Sequence, residues 1–140
     1  LVLDVNGTLA QDGYLLAGVE KLLLELKKLL TVHLVTADTH GAQEMIDSKL
    51  NTTAHRIPTA GQADAKKHYV QQFQPETVVA VGNGANDAMM LKSAGLGIAV
   101  IGPEGAATQA LLNSDVAVSD ITDALGLLLS PKRLIGTLRR

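Results

Sequence analysis

The chain has 140 residues, 46% of them apolar, and sets 12 Lys and Arg against 14 Asp and Glu for a net charge of −2. That length fits one domain, and the lack of Cys excludes disulfides and thiolate metal sites. There is no basic stripe with interleaved aromatics, no apolar run near the roughly 18 residues of a membrane span, and no visible signal peptide, so neither nucleic acid nor membrane is an expected partner and a cytoplasmic protein is the default.

The chain opens in mid-strand without Met, which leaves room for residues before Leu1 in the full gene product. Leu1-Val2-Leu3 runs into Asp4 and then Asn6-Gly7-Thr8. A short apolar run ended by Gly reads as a buried strand. Asp12-Gly13 favours a tight turn, so residues 10–14 read as a small flap beside that strand. Val19, Leu22, Leu23, Leu26, Leu29 and Leu30 recur at helical spacing over residues 18–30. The β-branched stretch Thr31 to Thr36 predicts a second buried strand. Asp38 or Thr39 can cap the helix that follows, with Ala42, Met45, Ile46 and Leu50 on its inner face. Ala54 to Pro58 is a weaker third strand, and residues 62–73 form a third helix with Tyr69, Val70 and Phe73 inward.

Thr77 to Val81 predicts a strong fourth strand, ended by Gly82-Asn83-Gly84 and followed by a helix over residues 85–94. Gly97 to Ile101 reads as a fifth strand, Pro103 fits the first turn of a helix through residue 112, and Asp115 to Val118 makes a short sixth strand. Asp120 and Ser130-Pro131 open two last helices. Strands alternating with helices at this spacing predict an α/β fold: a three-layer, Rossmann-like sandwich of mostly parallel strands with helices on both faces. Right-handed crossovers bring the ends of strands one, two and four to one edge, where Asp4, Thr36 and the Gly82 to Asp87 loop converge. No insertion is long enough to form a cap over that edge, so the site should be open.

Two carboxylates there, Asp4 and Asp87, suit a hard cation such as Mg²⁺, and Asn83 can add a carbonyl oxygen. Thr8 and Thr36 can offer hydroxyls to a phosphoryl group, with loop N–H groups, as at Gly7 and Ala37, completing the cradle. Lys66 or Lys67 from the third helix would supply the cation that stabilises charge on a transferring phosphoryl group. The Gly-x-Gly of residues 82–84 is only half a dinucleotide loop, because Asp87 stands where the third glycine would be. His33, His40, His55 and His68 have no ligand spacing; His40 alone lies near the site edge.

The motifs together resemble the haloacid dehalogenase (HAD) superfamily of phosphotransferases, from Asp4 to about Leu129. Asp4-Val5-Asn6-Gly7-Thr8 is similar to the first motif, Leu34-Val35-Thr36 to the second, Lys66 to the third by its spacing to Val70 and Phe73, and Gly82-Asn83-Gly84-Ala85-Asn86-Asp87 to the fourth. Within the superfamily the sequence most resembles soluble, stand-alone relatives of the P-type ATPase phosphorylation domain, through Val35-Thr36-Ala37-Asp38 and Asn86-Asp87-Ala88.

The resemblance implies a capless, Mg²⁺-dependent phosphohydrolase acting through a phospho-aspartyl intermediate on Asp4. Asn6, Thr36 and Lys66 would share the catalytic site. Gly7, Thr8, Thr36, Ala37 and Lys66 would hold phosphate, and Asp4, Asn6 (through its carbonyl), Asn83 and Asp87 the metal. The substrate would be a small phosphorylated molecule or ATP. Capless members gain a lid from another subunit or a large substrate, which implies a homo-oligomer.

Two departures stand out. Asn6 replaces the aspartate that serves as general acid and base, an effect worth about 10²–10⁴-fold, so hydrolysis is expected to be slow. Asn83 replaces a usual Asp and removes one charge from the metal site. Both also fit an alternative, a weakly active or inactive phosphate- or nucleotide-binding regulatory module of the same fold. A response-regulator receiver has a similar sheet, but it gathers its acids at the start of the chain, which this sequence does not.

Overall fold

The computed structural model describes residues 1–38 and 41–140. The expected roles of Thr39 as a cap and His40 at the site edge lie outside the described residues. A six-stranded sheet carries the fold, built from β1 (Val2–Asp4), β4 (His33–Thr36), β5 (His55–Arg56), β6 (Val79–Gly82), β7 (Leu96–Val100) and β8 (Val116–Val118). Its spatial order is β5-β4-β1-β6-β7-β8, and every neighbouring pair is parallel. The chain therefore steps outward from β1 in one direction, then returns and steps outward in the other. The reversal lies between β1 and β6, and open α/β sheets bind ligands beyond the carboxyl ends of the strands at such a point.

The alternation of side chains along each strand divides the core in two. Leu3, Leu34, Val81, Ile98 and Val100 face one side. There they meet Val19, Leu23 and Leu26 of α1 (Val19–Leu26), Ile46 and Leu50 of α2 (Gln43–Leu50), and Ile121 and Leu125 of α6 (Ile121–Leu129). Val2, Val35, Ala80 and Ala99 face the other side. They pack on Val70 of α3 (Gln62–Val70), Met90 and Leu91 of α4 (Ala88–Ser93) and Ala110 of α5 (Thr108–Leu112). Helices on both faces give the expected three layers. The last helix, α7 (Pro131–Leu138), lies on the outside and buries no residue, with Leu134 touching the first core.

The flap after β1 is a hairpin of β2 (Ala10–Gln11) and β3 (Tyr14–Leu15). Its turn residues Asp12 and Gly13 have φ of 51° and 83°. Positive φ at both central residues matches the twist of paired strands and explains the Asp-Gly pair.

Several expected boundaries differ. The first helix stops at Leu26 and not at residue 30. The Lys27 ammonium beyond it donates to the carbonyls of Leu50 and Asn51 and to Thr52 Oγ1; Leu29 is left exposed. The third helix stops at Val70 and not at residue 73. In α2, Met45 is exposed and the buried face runs through Gln43, Ile46 and Leu50, with the Gln43 amide satisfied by donating to Asp47 Oδ1 at 2.7 Å. The N-cap position of α2 is Ala42 and not Asp38; the Asp38 carboxylate, four residues earlier, still accepts the Gln43 N–H at 3.2 Å.

The helix expected from Pro103 begins only at Thr108. Gly102 and Gly105, with φ of 55° and 75°, flank Pro103 and Glu104. Left-handed residues on both sides prevent a helical turn there and lead the chain across the top of β1 as a loop.

Candidate active site

Asp4 is the last residue of β1 and shares a face with Val2 two residues before it, so it points to the side that carries α3 and α4. Lys66, on α3, projects back to the same place. Its ammonium donates to Asp4 Oδ1 at 2.6 Å and to Asp87 Oδ1 at 2.6 Å. Lys66 is 1% exposed and Asp87 0%, so this triad is sealed from water on the protein side. Its neighbour Lys67 is half-buried, about 100° further around the helix. Of the two candidate cations, the fold places Lys66 in the site.

Asp87 ends a single tight turn over residues 85–87 that leads into α4. Its second oxygen accepts the N–H groups of Asn83 at 3.0 Å and Gly84 at 2.8 Å. The Gly82 to Asp87 loop thus wraps around one carboxylate. Gly82 has to lack a side chain, since a Cβ there would lie 2.5 Å from the Asp87 carboxyl carbon.

On the opposite side of Asp4, the buried Thr8 hydroxyl lies 2.7 Å from Asp4 Oδ2 and 3.2 Å from Asn83 Oδ1. Thr8 therefore aims the Asp4 carboxylate and brings the Asn83 carbonyl beside it. The Gly7 N–H donates to the Ala10 carbonyl at 2.8 Å and closes the loop beneath the flap. Thr36 sits at the end of β4, where its hydroxyl accepts the Asp38 N–H at 3.0 Å and the Asn6 side-chain amide at 3.4 Å. Ala37 follows it, half-buried. Asp4, Asn6, Thr8, Thr36, Asn83 and Asp87 thus come together beyond the carboxyl ends of β1, β4 and β6, with Lys66 reaching in from α3.

Burial pushes Asp4 up to about 6, and the nearby Asp87 charge adds to this, while Lys66 and the Lys66 and Thr8 hydrogen bonds oppose it. Burial alone would lower Lys66, but the two carboxylates outweigh it and hold Lys66 above its ordinary value. With both acids ionised, the cluster carries two negative charges and one positive charge. The donors around the mouth are all oxygens: the Asp4 carboxylate, the Asn83 side-chain carbonyl and the loop carbonyls. That chemistry fits a hard divalent cation. Among the described residues, no three His, Cys, Asp or Glu side chains are grouped to hold a metal by themselves, so any such site must use amide oxygens as well as acids.

Three contacts had no sequence signal. The Asn83 side-chain amide donates to the Gly105 carbonyl at 3.1 Å, and the Asn83 carbonyl accepts the Ala107 N–H at 2.8 Å. Asn86 Nδ2 donates to Gln62 Oε1 at 2.7 Å and ties the start of α3 to the loop. Glu104 also reaches the site: a Cβ on Gly7 would lie 2.8 Å from Glu104 Oε2 and 2.7 Å from Asn83 Nδ2. The Gly102 and Gly105 pair marks residues 102–105 as a turn, but only strand order shows that it crosses over Gly7.

Residues 1–95 match the haloacid dehalogenase-like hydrolase family. An uncharacterized protein of Methanocaldococcus jannaschii, MJ0073, is 55% identical over 79 residues, covering 54% of this chain and 85% of that protein. Among solved structures, the cobalt-bound deoxy-D-mannose-octulosonate 8-phosphate phosphatase of Haemophilus influenzae superposes with a TM-score of 0.76 at 14% identity, covering 92% of this chain and 85% of that one. A phospho-aspartyl intermediate analogue of phosphoserine phosphatase gives 0.59 at 26% identity, over 78% of this chain and 62% of that one. A zinc-transporting PIB-type ATPase in its E2.Pi state gives 0.64 at 26% identity, over 88% of this chain and 20% of that one. Among the described residues, no helix is long and apolar enough to cross a membrane.

Proposed function

Because the chain belongs to the haloacid dehalogenase-like hydrolase family, we propose that it is a phosphatase-type enzyme that transfers a phosphoryl group to Asp4. The observation that carries this reading is the buried Asp4, Lys66 and Asp87 triad at the strand-order reversal, closed by hydrogen bonds of 2.6 Å. Thr8 holds one oxygen of Asp4 and Lys66 the other, which orients the carboxylate as a nucleophile. In the first step an Asp4 oxygen bonds to phosphorus and the bond from phosphorus to the leaving oxygen breaks. The Lys66 ammonium and the Thr36 hydroxyl, with loop N–H groups, stabilise charge on the transferring oxygens. In the second step water attacks the phosphorus and Asp4 is released. Asp4, Asn83 and the Asn6 carbonyl would hold Mg²⁺; Asp87, also expected as a ligand, has its oxygens engaged by Lys66 and by the Asn83 and Gly84 N–H groups and would act by fixing them. When bound, the ion neutralises phosphoryl charge and orients the substrate.

Asn6 has no proton to give to the leaving group. The favoured substrates are therefore those whose leaving group departs as a stable anion, such as ATP or an aryl phosphate. This is the sense in which the chain works as a soluble relative of the P-type ATPase phosphorylation domain. Removal of phosphate from Asp4 would be the slow step, since water also lacks a base at Asn6. The crevice has no cap among the described residues, and a second copy or a large substrate would shield it.

The test is Mg²⁺-dependent turnover of p-nitrophenyl phosphate or ATP, together with acid-quench trapping of radiolabel on the protein. Asp4→Asn should abolish both; no turnover and no trapped phosphoenzyme on either substrate would sink the enzyme reading. The pair of asparagines favours a second reading, a phosphate- or nucleotide-binding regulatory module. Phosphate or nucleotide binding without any labelled Asp4 would support it.

A further inference from the structure

We propose that Glu104 supplies the metal with the carboxylate that Asn83 lacks, and that Asn83 has become the tether that brings Glu104 there. The inference rests on the metal-assisted reading of the site given above.

Asn83 is 9% exposed and uses each of its polar groups for a different purpose. Its Oδ1 accepts the Thr8 hydroxyl at 3.2 Å. Its Nδ2 donates to the Gly105 carbonyl at 3.1 Å, and its own carbonyl accepts the Ala107 N–H at 2.8 Å. The last two bonds fasten the loop after β7 onto the Gly82 to Asp87 loop. An aspartate at this position could not make the bond to Gly105, because a carboxylate has no hydrogen to donate. It would face the Gly105 carbonyl with a negative charge instead. The amide is therefore chosen by the tether, and the charge it gives up has to come from elsewhere.

The tethered loop carries one acid. Gly102 and Gly105, both left-handed, turn the chain so that Glu104 Oε2 and the Asn83 side chain meet over the same face of Gly7. A Cβ on Gly7 would touch both, at 2.8 Å from Glu104 Oε2 and, on the Asn83 amide, 2.7 Å from Nδ2 and 3.0 Å from Oδ1. Two oxygen donors thus converge on the bare side of Gly7, and Asn83 Oδ1 shares the Thr8 hydroxyl with Asp4 Oδ2. The charge also balances. Asp4, Asp87 and Lys66 sum to one negative charge, and Glu104 makes it two, which matches a divalent ion.

The experiment is a titration of the full chain with Mn²⁺, followed by loss of the electron paramagnetic resonance signal of the free ion, alongside urea unfolding. Glu104→Gln should weaken Mn²⁺ binding by about 10- to 100-fold, the range seen when even an outer-shell partner of a metal is lost, with an unchanged unfolding midpoint. The double variant Asn83→Asp/Glu104→Gln should recover most of that affinity, because one carboxylate is moved and none is removed. Unchanged Mn²⁺ affinity in Glu104→Gln, a fall that tracks a lower unfolding midpoint, or no recovery in the double variant overturns the proposal. Asp4→Asn separates the two levels. If it weakens Mn²⁺ binding and Glu104→Gln does not, only the role of Glu104 fails. If neither variant alters binding, or the unaltered chain binds no Mn²⁺, the metal reading of the site fails with it.

Discussion

Replacing Lys66 with Met keeps a long, flexible side chain and removes its charge. In the folded chain the ammonium stands 2.6 Å from Asp4 Oδ1 and 2.6 Å from Asp87 Oδ1, with the Lys66 side chain 2% exposed. Without it, two buried carboxylates face each other with no cation between them. Breaking a buried ion pair by removing one partner costs about 3–5 kcal/mol. The repulsion left behind is of the same size: unit charges roughly 4 Å apart interact by about 4 kcal/mol at an effective dielectric of about 20. These figures describe one loss seen from two sides and are not added.

That loss depends on pH. Asp4 already titrates near 6 with Lys66 in place, and removing the ammonium raises it further. A carboxyl whose folded pKa is raised leaves stability intact below its unfolded value and loses it as the pH climbs through the folded value. Urea unfolding without metal should therefore show Lys66→Met less stable than the unaltered chain by about 3–5 kcal/mol at about pH 8, and by much less at about pH 5, where Asp4 takes up a proton. Added Mg²⁺ should recover part of the deficit near pH 8. A deficit equal at both pH values would refute the electrostatic account and leave only lost packing; no deficit at the higher pH would refute the buried triad.

The unaltered chain should show the same linkage in milder form. Asp4 moves from 3.8 to about 6 on folding, a rise worth roughly 3 kcal/mol at about 1.4 kcal/mol per unit. This stability is present below about pH 4 and is lost as the pH passes 6; the difference in unfolding free energy between the metal-free chain and Asp4→Asn, followed across that window, should drift by this amount, and a flat difference would contradict the raised value. Asn6→Asp should restore a proton donor and raise turnover by about 10²–10⁴-fold. The gain should be larger for alkyl phosphates than for p-nitrophenyl phosphate, whose leaving group needs no proton; an equal gain on both would count against the missing acid as the cause.

Much of the fold is legible in the chain because its signals are local. Strands such as Val2–Asp4 and Val79–Gly82 are short apolar runs closed by polar or glycine residues, and that pattern needs no knowledge of distant residues. Asp12-Gly13 marks its own turn for the same reason. The parallel sheet follows from the alternation of elements, and the meeting of the ends of strands one, two and four at one edge from the handedness of the crossovers. The motif residues Asp4, Thr8, Thr36 and Asp87 are readable because each lies at the end of a strand or in the first turn after one.

What remained was decided by contacts between positions far apart in sequence. The family spacing to Val70 and Phe73 picks Lys66 over Lys67, but the bond it makes does not follow from that spacing: the packing of α3 through Val70 turns Lys66 inward onto Asp4 and Asp87 and leaves Lys67 half-buried. Pro103 suggested a helix start, and the left-handed glycines on either side overruled it by turning the chain over Gly7. Asn83 reads in sequence as a weakened metal ligand. In the folded chain its amide is a bond to Gly105, 22 residues away, and Glu104 arrives beside it through that bond. Sequence patterns report the period of a helix or strand and the residues that stop it. They carry no record of which loop lies over which, because that depends on the order of strands in the sheet and on how tightly each turn is wound.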